Sequence, residues 1–193
     1  TECMQTLGNA GEFYRASGFW TSFFHDVMDI FGAESYLTKM YTHPEIVHAV
    51  TDHVCAFYTK ANELLFTQAG DLIDGFFFGN DFGTQRDVLI STYQFDEFVL
   101  PWIRRFTEQA RRHRLQVITH SCGSVHLVID RLIDAGVQCL HPLQAKAFGM
   151  DAETLVRDFG GRIAFLGGID TQELLIKGTP EEIRREVRRL KKV

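Results

Sequence analysis

Leu115-Gln-Val-Ile-Thr-His120-Ser-Cys122-Gly123-Ser124 is the stretch from which the fold is read. A short β-branched run ends in a histidine, a cysteine two residues on, and a glycine. Side chains alternate across a strand, so residues two apart project to the same side. His120 and Cys122 therefore leave the end of a strand together, just before a helix. Imidazole nitrogen and thiolate sulfur suit zinc, a borderline-soft ion. A half-buried histidine and a small inert cysteine fit the same spacing.

Working outward, Gly123 or Ser124 caps a helix that runs to Ala135 and is closed by Gly136. Val137–Leu140 is the next strand, followed by His141-Pro142-Leu143-Gln144. Asp151 caps a helix to Phe159, and Arg162–Leu166 is a further strand before Gly167-Gly168-Ile169-Asp170. Thr179-Pro180-Glu181-Glu182 starts the last helix with a threonine cap, a first-turn proline and early acids. Upstream, a helix spans about Tyr93 to His113, kinked or divided by Pro101. Before it, Asp71–Phe78 is a mainly apolar run, broken by Asp74 and closed by Gly79, read as a strand buried on both faces. His43-Pro44-Glu45 opens a long amphipathic helix, with Ile46, Val50, Val54, Phe57, Ala61 and Leu65 at helical spacing.

Strand and helix alternate, which implies a parallel sheet with right-handed crossovers. Each polar cluster falls just after a strand: Asp81, then His120/Cys122, then His141/Gln144, then Asp170/Gln172. Polar groups at successive strand ends favour a (β/α)8 TIM barrel over an open sheet with one switch point. A complete barrel needs eight strands and about 250 residues. The 193 residues here supply half to two-thirds of one. Residues 1–193 read as a single incomplete barrel domain, with an aromatic-rich segment at 1–42 and serial βα units at 43–193. Within 1–42, Gly8, Gly11, Gly18 and Gly32 interrupt any long period, and short helices around Phe23–Phe31 and Glu34–Tyr41 fit. The aromatics Phe13, Tyr14, Phe19, Trp20, Phe23 and Phe24 are expected to bury core or a subunit contact, such as a homodimer's. Thr1 at one end and the charged helical pattern into Lys191-Lys192-Val193 at the other read as cut ends.

A net charge of -5 gives no hint of a nucleic-acid partner, and the hydrophobic fraction of 45% is that of an ordinary soluble protein. The basic run Arg111-Arg112-His113-Arg114 and the basic C-terminus fit solvated helix faces. Cys3, Cys55, Cys122 and Cys139 do not form a secreted disulfide framework, so reduced thiols in a cytoplasmic compartment are expected. No apolar run is long enough for a membrane helix, and there is no signal-peptide pattern.

The motifs from His120 onward resemble the uroporphyrinogen decarboxylase superfamily. They are His120-Ser-Cys122-Gly123-Ser, Leu132 through Gln144, Gly149-Met150-Asp151, Phe159 through Asp170, and Gly178-Thr179-Pro180-Glu181-Glu182-Ile. The resemblance covers roughly residues 40–193 and is strong from Asp81. It implies a (β/α)8 barrel lacking an N-terminal section and the last strand–helix unit. It also implies one of two chemistries. One branch removes carboxylates from a tetrapyrrole with neither cofactor nor metal. The other comprises corrinoid-dependent methyltransferases that carry His-x-Cys-Gly after a barrel strand and bind zinc, which is how His120 and Cys122 stand here. The resemblance thus implies zinc at His120 and Cys122, a corrinoid as methyl carrier on a small partner protein, and a thiol or related small molecule as acceptor. A further cysteine ligand would come from the last barrel strand, beyond Val193. The Gly168-Ile-Asp170-Thr-Gln172 loop departs from the methyltransferase pattern.

In that frame Asp81 and His141 are candidate catalytic residues, and Gln144 and Asp170 candidate cofactor-binding residues. Asp81 is equally a loop cap in Asn80-Asp81-Phe82-Gly83, and Asp170 a helix cap. His141 before proline also fits strand-end packing, and Cys139 a small core residue. The alternatives are a decarboxylase-type lyase acting on tetrapyrrole carboxylates and a non-catalytic homologue that binds a corrinoid or a partner.

Overall fold

The computed structural model describes residues 2, 5, 6, 9 and 11–193. Cys3 and Gly8 lie outside the described residues. Five strands form one parallel sheet in sequential order: β1 (Ala16–Ser17), β2 (Gly75–Gly79), β3 (Gln116–His120), β4 (Cys139–Leu143) and β5 (Ala164–Gly167). Helices alternate with them. α1 (Phe23–Phe31), α2 (Ala33–Thr42) and α3 (Pro44–Ala69) follow β1, and α4 (Leu100–Arg112) follows β2. α5 (Ile129–Asp134), α6 (Ala152–Phe159), α7 (Leu174–Lys177) and α8 (Pro180–Leu190) follow, and a three-residue helix at Thr92–Gln94 lies ahead of α4. This is the βα architecture expected from the sequence, an α/β fold with part of a barrel sheet. Among the described residues no helix is long and apolar enough to cross a membrane.

The register gives each sheet face a distinct job. Phe76, Phe78, Val117 and Leu140 point to the helical layer and are buried. There Phe106 of α4 meets Phe23 of α1, Phe78 of β2 and Trp102. On the opposite face, Phe77 pairs with Ile118 and Ile118 with Cys139, while Gly79 pairs with His120 and His120 with His141. The barrel-interior face therefore carries both histidines in one row at the strand ends.

Several boundaries differ from the sequence reading. β1 lies inside the segment read as irregular; it is two residues long and is a strand because Ala16 and Ser17 pair with Gly75 and Phe76. β4 runs on through His141 and Pro142 instead of stopping at Leu140. Proline has no N–H for the ladder, and the register with β5 shifts between Leu140 and Leu143. No helix starts at Ser124. Its N–H donates to the Thr84 carbonyl and its hydroxyl to the Phe148 carbonyl, so it ties two loops together. A 3-10 turn at His126–Val128 precedes α5. Pro101 lies in the first turn of α4, directly after a π-helical turn at Phe95–Val99. The proline ring and its missing N–H disfavour a regular ladder to the preceding turn, and a π-bulge accommodates that. Asp151 and Thr179 cap α6 and α8 as read, the latter in a capping box with Glu182.

Candidate metal centre

All five strand ends deliver a side chain to the same rim. Trp20 follows β1, Asp81 follows β2, His120 and Cys122 come from β3, His141 and Gln144 from β4, and Asp170 follows β5. The loops are fixed by buried polar neighbours of these residues. Asn80 accepts the Phe24 N–H (2.9 Å) and donates to the Thr21 carbonyl (3.0 Å), which anchors the residue before Asp81. The Ser121 hydroxyl accepts the Phe82 N–H (3.0 Å), which locks the loop after Asp81 against the one between His120 and Cys122.

Asp81, His120 and Cys122 bring a carboxylate, an imidazole and a thiol together, with one donor atom of each inside 4.8 Å of the others. His120 Nε2 is 3.2 Å from Asp81 Oδ1 and 3.4 Å from Cys122 Sγ. Tetrahedral zinc, with bonds of about 2.0 Å to nitrogen and oxygen and about 2.3 Å to sulfur, sets its ligand atoms roughly 3.3–3.5 Å apart. The residues present therefore fit zinc in atom type, and the two distances from His120 match its spacing. Asp81, which the sequence leaves between a loop cap and a site residue, offers a third donor atom beside the His120/Cys122 pair. It has a capping part too: Oδ1 accepts the Cys122 N–H at 2.8 Å.

Burial draws the His120 pKa below its ordinary value despite the nearby Asp81 carboxylate. The His141 pKa is also lowered, by burial and then by His120. The Cys122 thiol is pushed up by burial and by the Asp81 charge. Without a cation the site holds neutral imidazoles and a protonated thiol. A divalent ion reverses the logic at sulfur, since a coordinated thiol is deprotonated.

His141 does not join the three-residue cluster. Its Nδ1 lies 3.1 Å from His120 Nδ1, and its ring meets Phe77 edge-on at 5.3 Å. Gln144 holds the loop after Cys122, its Oε1 accepting the Gly123 N–H at 2.8 Å. A groove of about 360 Å³ runs from Cys122 past Gln144 and Lys146 to Asp170 and Gln172. The Asp170 carboxylate accepts N–H groups of Gln172, Glu173 and Leu174. Those bonds outweigh the effect of burial and hold its pKa down. Asp170 is thus a capping group that forms one wall of the groove. Cys139 is half-buried on the His141 face, and Cys55 is buried; both are free thiols.

The sequence reading missed Trp20. Of the six N-terminal aromatics only Phe23 and Phe24 are core; Phe13, Tyr14 and Phe19 are exposed, and Trp20 is 48% exposed with its ring 5.0 Å from that of His120. A Cβ on Gly79 would fall 2.5 Å from the indole, so a glycine at the end of β2 is what lets Trp20 reach the site. The glycine was visible in the sequence; that Trp20 would lie over it follows only from the pairing of β1 with β2.

No curated protein matches the sequence. Among solved structures, a methyltransferase from Methanosarcina mazei superposes with a TM-score of 0.59 at 12% identity. The alignment covers 98% of this chain and 63% of that one, so the chain spans less than two thirds of the neighbour's length. The likeness establishes a shared fold. The family model described as uroporphyrinogen decarboxylase (URO-D) matches residues 12–192, which takes in the aromatic segment that the motif resemblance, starting near residue 40, had left out. With the serial strands, the polar rim and that match in agreement, the chain belongs to the uroporphyrinogen decarboxylase family.

Proposed function

We propose that this chain carries the zinc site of a methyltransferase that moves a methyl group between a corrinoid and a thiol or related small acceptor. The observation that carries the reading is the convergence of Asp81, His120 and Cys122 at one rim, with separations suited to zinc. The solved methyltransferase with the same fold supports it. Asp81, His120 and Cys122 would hold the metal, and zinc bound there would keep an acceptor sulfur deprotonated and electron-rich. These three donors account for three positions of a tetrahedral zinc site, which takes four ligands in all.

The chain's own residues supply the rest. Trp20 packs against one side of the His120 ring. The groove beside Cys122 receives the small acceptor, with the Gln144 amide N–H groups to orient it and Lys146, ion-paired with Asp170 and Glu173, in its lining. Asp170 shapes this groove through the loop it caps. The corrinoid would arrive on a partner protein, and a cytoplasmic setting suits the free thiols.

The test is zinc content and methyl transfer together. Wild-type chain is expected to bind zinc and to demethylate a methylcorrinoid in the presence of a thiol. His120→Ala/Cys122→Ser is expected to lose both. Unchanged zinc content in the double variant would sink the ligand assignment. The family description and the half-exposed Asp81 favour a second reading, removal of tetrapyrrole carboxylates. Carboxylate loss from uroporphyrinogen without metal, abolished by Asp81→Asn, would establish it. Zinc or corrinoid binding with neither reaction would mark a binding homologue.

A further inference from the structure

We infer that His141 is the positioning residue for His120, and that zinc loading inverts the tautomers of both rings; this rests on the zinc reading above. The strand register sets His120 beside His141. Their backbones are tied on both sides, with the Asn80 N–H donating to the His120 carbonyl (3.0 Å) and the Ser121 N–H to that of His141 (2.7 Å). Phe77 packs against the His141 ring and Trp20 against the His120 ring. Each imidazole thus has an aromatic neighbour on one side and the other histidine beside it.

The contact between them joins Nδ1 to Nδ1 at 3.1 Å. Such a bond holds one proton, so one ring donates and the other accepts. The remaining nitrogen of His120, Nε2, faces Asp81 and Cys122. Without metal, a proton on Nε2 makes a charge-assisted bond to the Asp81 carboxylate. His120 Nδ1 is then bare and accepts from the Nδ1–H of His141. A metal requires the opposite arrangement. His120 Nε2 must be bare, so its proton moves to Nδ1 and is donated to His141. His141 Nδ1 must now be the acceptor, and its proton moves to its own Nε2. Each ring keeps one proton throughout, so the exchange balances. A metal-bound histidine is commonly oriented by a partner on its other nitrogen, and losing that partner costs roughly 10- to 100-fold in affinity. The partner here is a second imidazole, which can act as donor or acceptor where a carboxylate can only accept.

The experiment compares zinc affinity, by competition with a chromophoric chelator, and ring tautomers, by nitrogen-15 NMR, in wild type and two variants. His141→Phe removes the acceptor; His141→Asn keeps an acceptor oxygen near the Nδ1 position. The expected results are about a 10- to 100-fold loss of zinc affinity in the first, substantial recovery in the second, and thermal unfolding of both metal-free variants close to wild type. In wild type, zinc should move the His141 proton from Nδ1 to Nε2. Equal affinity of His141→Phe and wild type, or a His141 tautomer unmoved by zinc, would overturn the role. So would a His141 nitrogen shift characteristic of direct ligation. If His120→Ala/Cys122→Ser loses zinc while His141→Phe does not, only this inference fails. If the double variant keeps its zinc, the site reading beneath it fails as well.

Discussion

Gly123 shows how much of the site hangs on one backbone position. It has φ +80, and a Cβ there would sit 2.4 Å from the Gly83 carbonyl carbon. Across the contact, a Cβ on Gly83 would meet the Cys122 carbonyl at 2.7 Å. The two loops carrying Asp81 and Cys122 approach this closely only because neither residue has a side chain. Gly123→Ala therefore carries the left-handed strain of about 1–2 kcal/mol plus a backbone clash that no rotamer relieves. We expect a thermal midpoint several degrees lower and weakened zinc binding; an unaltered midpoint would refute the packing argument. At this scale the sequence was informative but incomplete. Period-two alternation put His120 and Cys122 on one side, whereas Gly123 read only as a cap. Its reason is contact with Gly83, far away in sequence.

Among elements, α6 is fastened at its C-terminal end by charge. Asp158 accepts from the adjacent Arg157 guanidinium and lies 2.8 Å from His126 Nε2. The guanidinium, then the imidazole, hold its pKa down to about 2. A carboxylate depressed in this way favours the folded state at pH values above its unfolded pKa of about 3.9. That contribution fades as pH falls toward and through about 2. A carboxyl-carbon NMR titration should place the Asp158 midpoint well below the ordinary aspartate value, and His126→Ala should raise it. A midpoint at the ordinary aspartate value would rule the arrangement out. Elements with their own start and stop chemistry were legible: α3 with its first-turn proline, and α6 and α8 with their caps. β1 was not, because Ala16-Ser17 has no strand pattern of its own and is extended only by pairing with β2. The missing helix start at Ser124 has the same origin, since its N–H and hydroxyl donate to the carbonyls of Thr84 and Phe148, on loops far away in sequence.

For the whole molecule, the aromatic layer between sheet and helices carries the stability. Phe106 is fully buried and joins α1, β2 and α4 through Phe23, Phe78 and Trp102. Phe106→Ala should cost about 3–5 kcal/mol in denaturant unfolding. Phe57→Ala, at a side chain 62% exposed, should stay within roughly 0.5 kcal/mol. Equal costs at the two positions would contradict the placement of the core. The serial order of strands and helices, the rim on which the polar residues collect, and the His120/Cys122 pair were determined by the sequence alone. They depend on local periodicity and on the handedness of βα connections, which act over neighbouring residues. The approach of the Asp81 carboxylate to His120 and Cys122, the His120–His141 contact and Trp20 over the site were decided only by the tertiary structure. Each depends on the register between strands far apart in the chain, and that register is set by the packing of whole faces, which no short stretch of residues encodes.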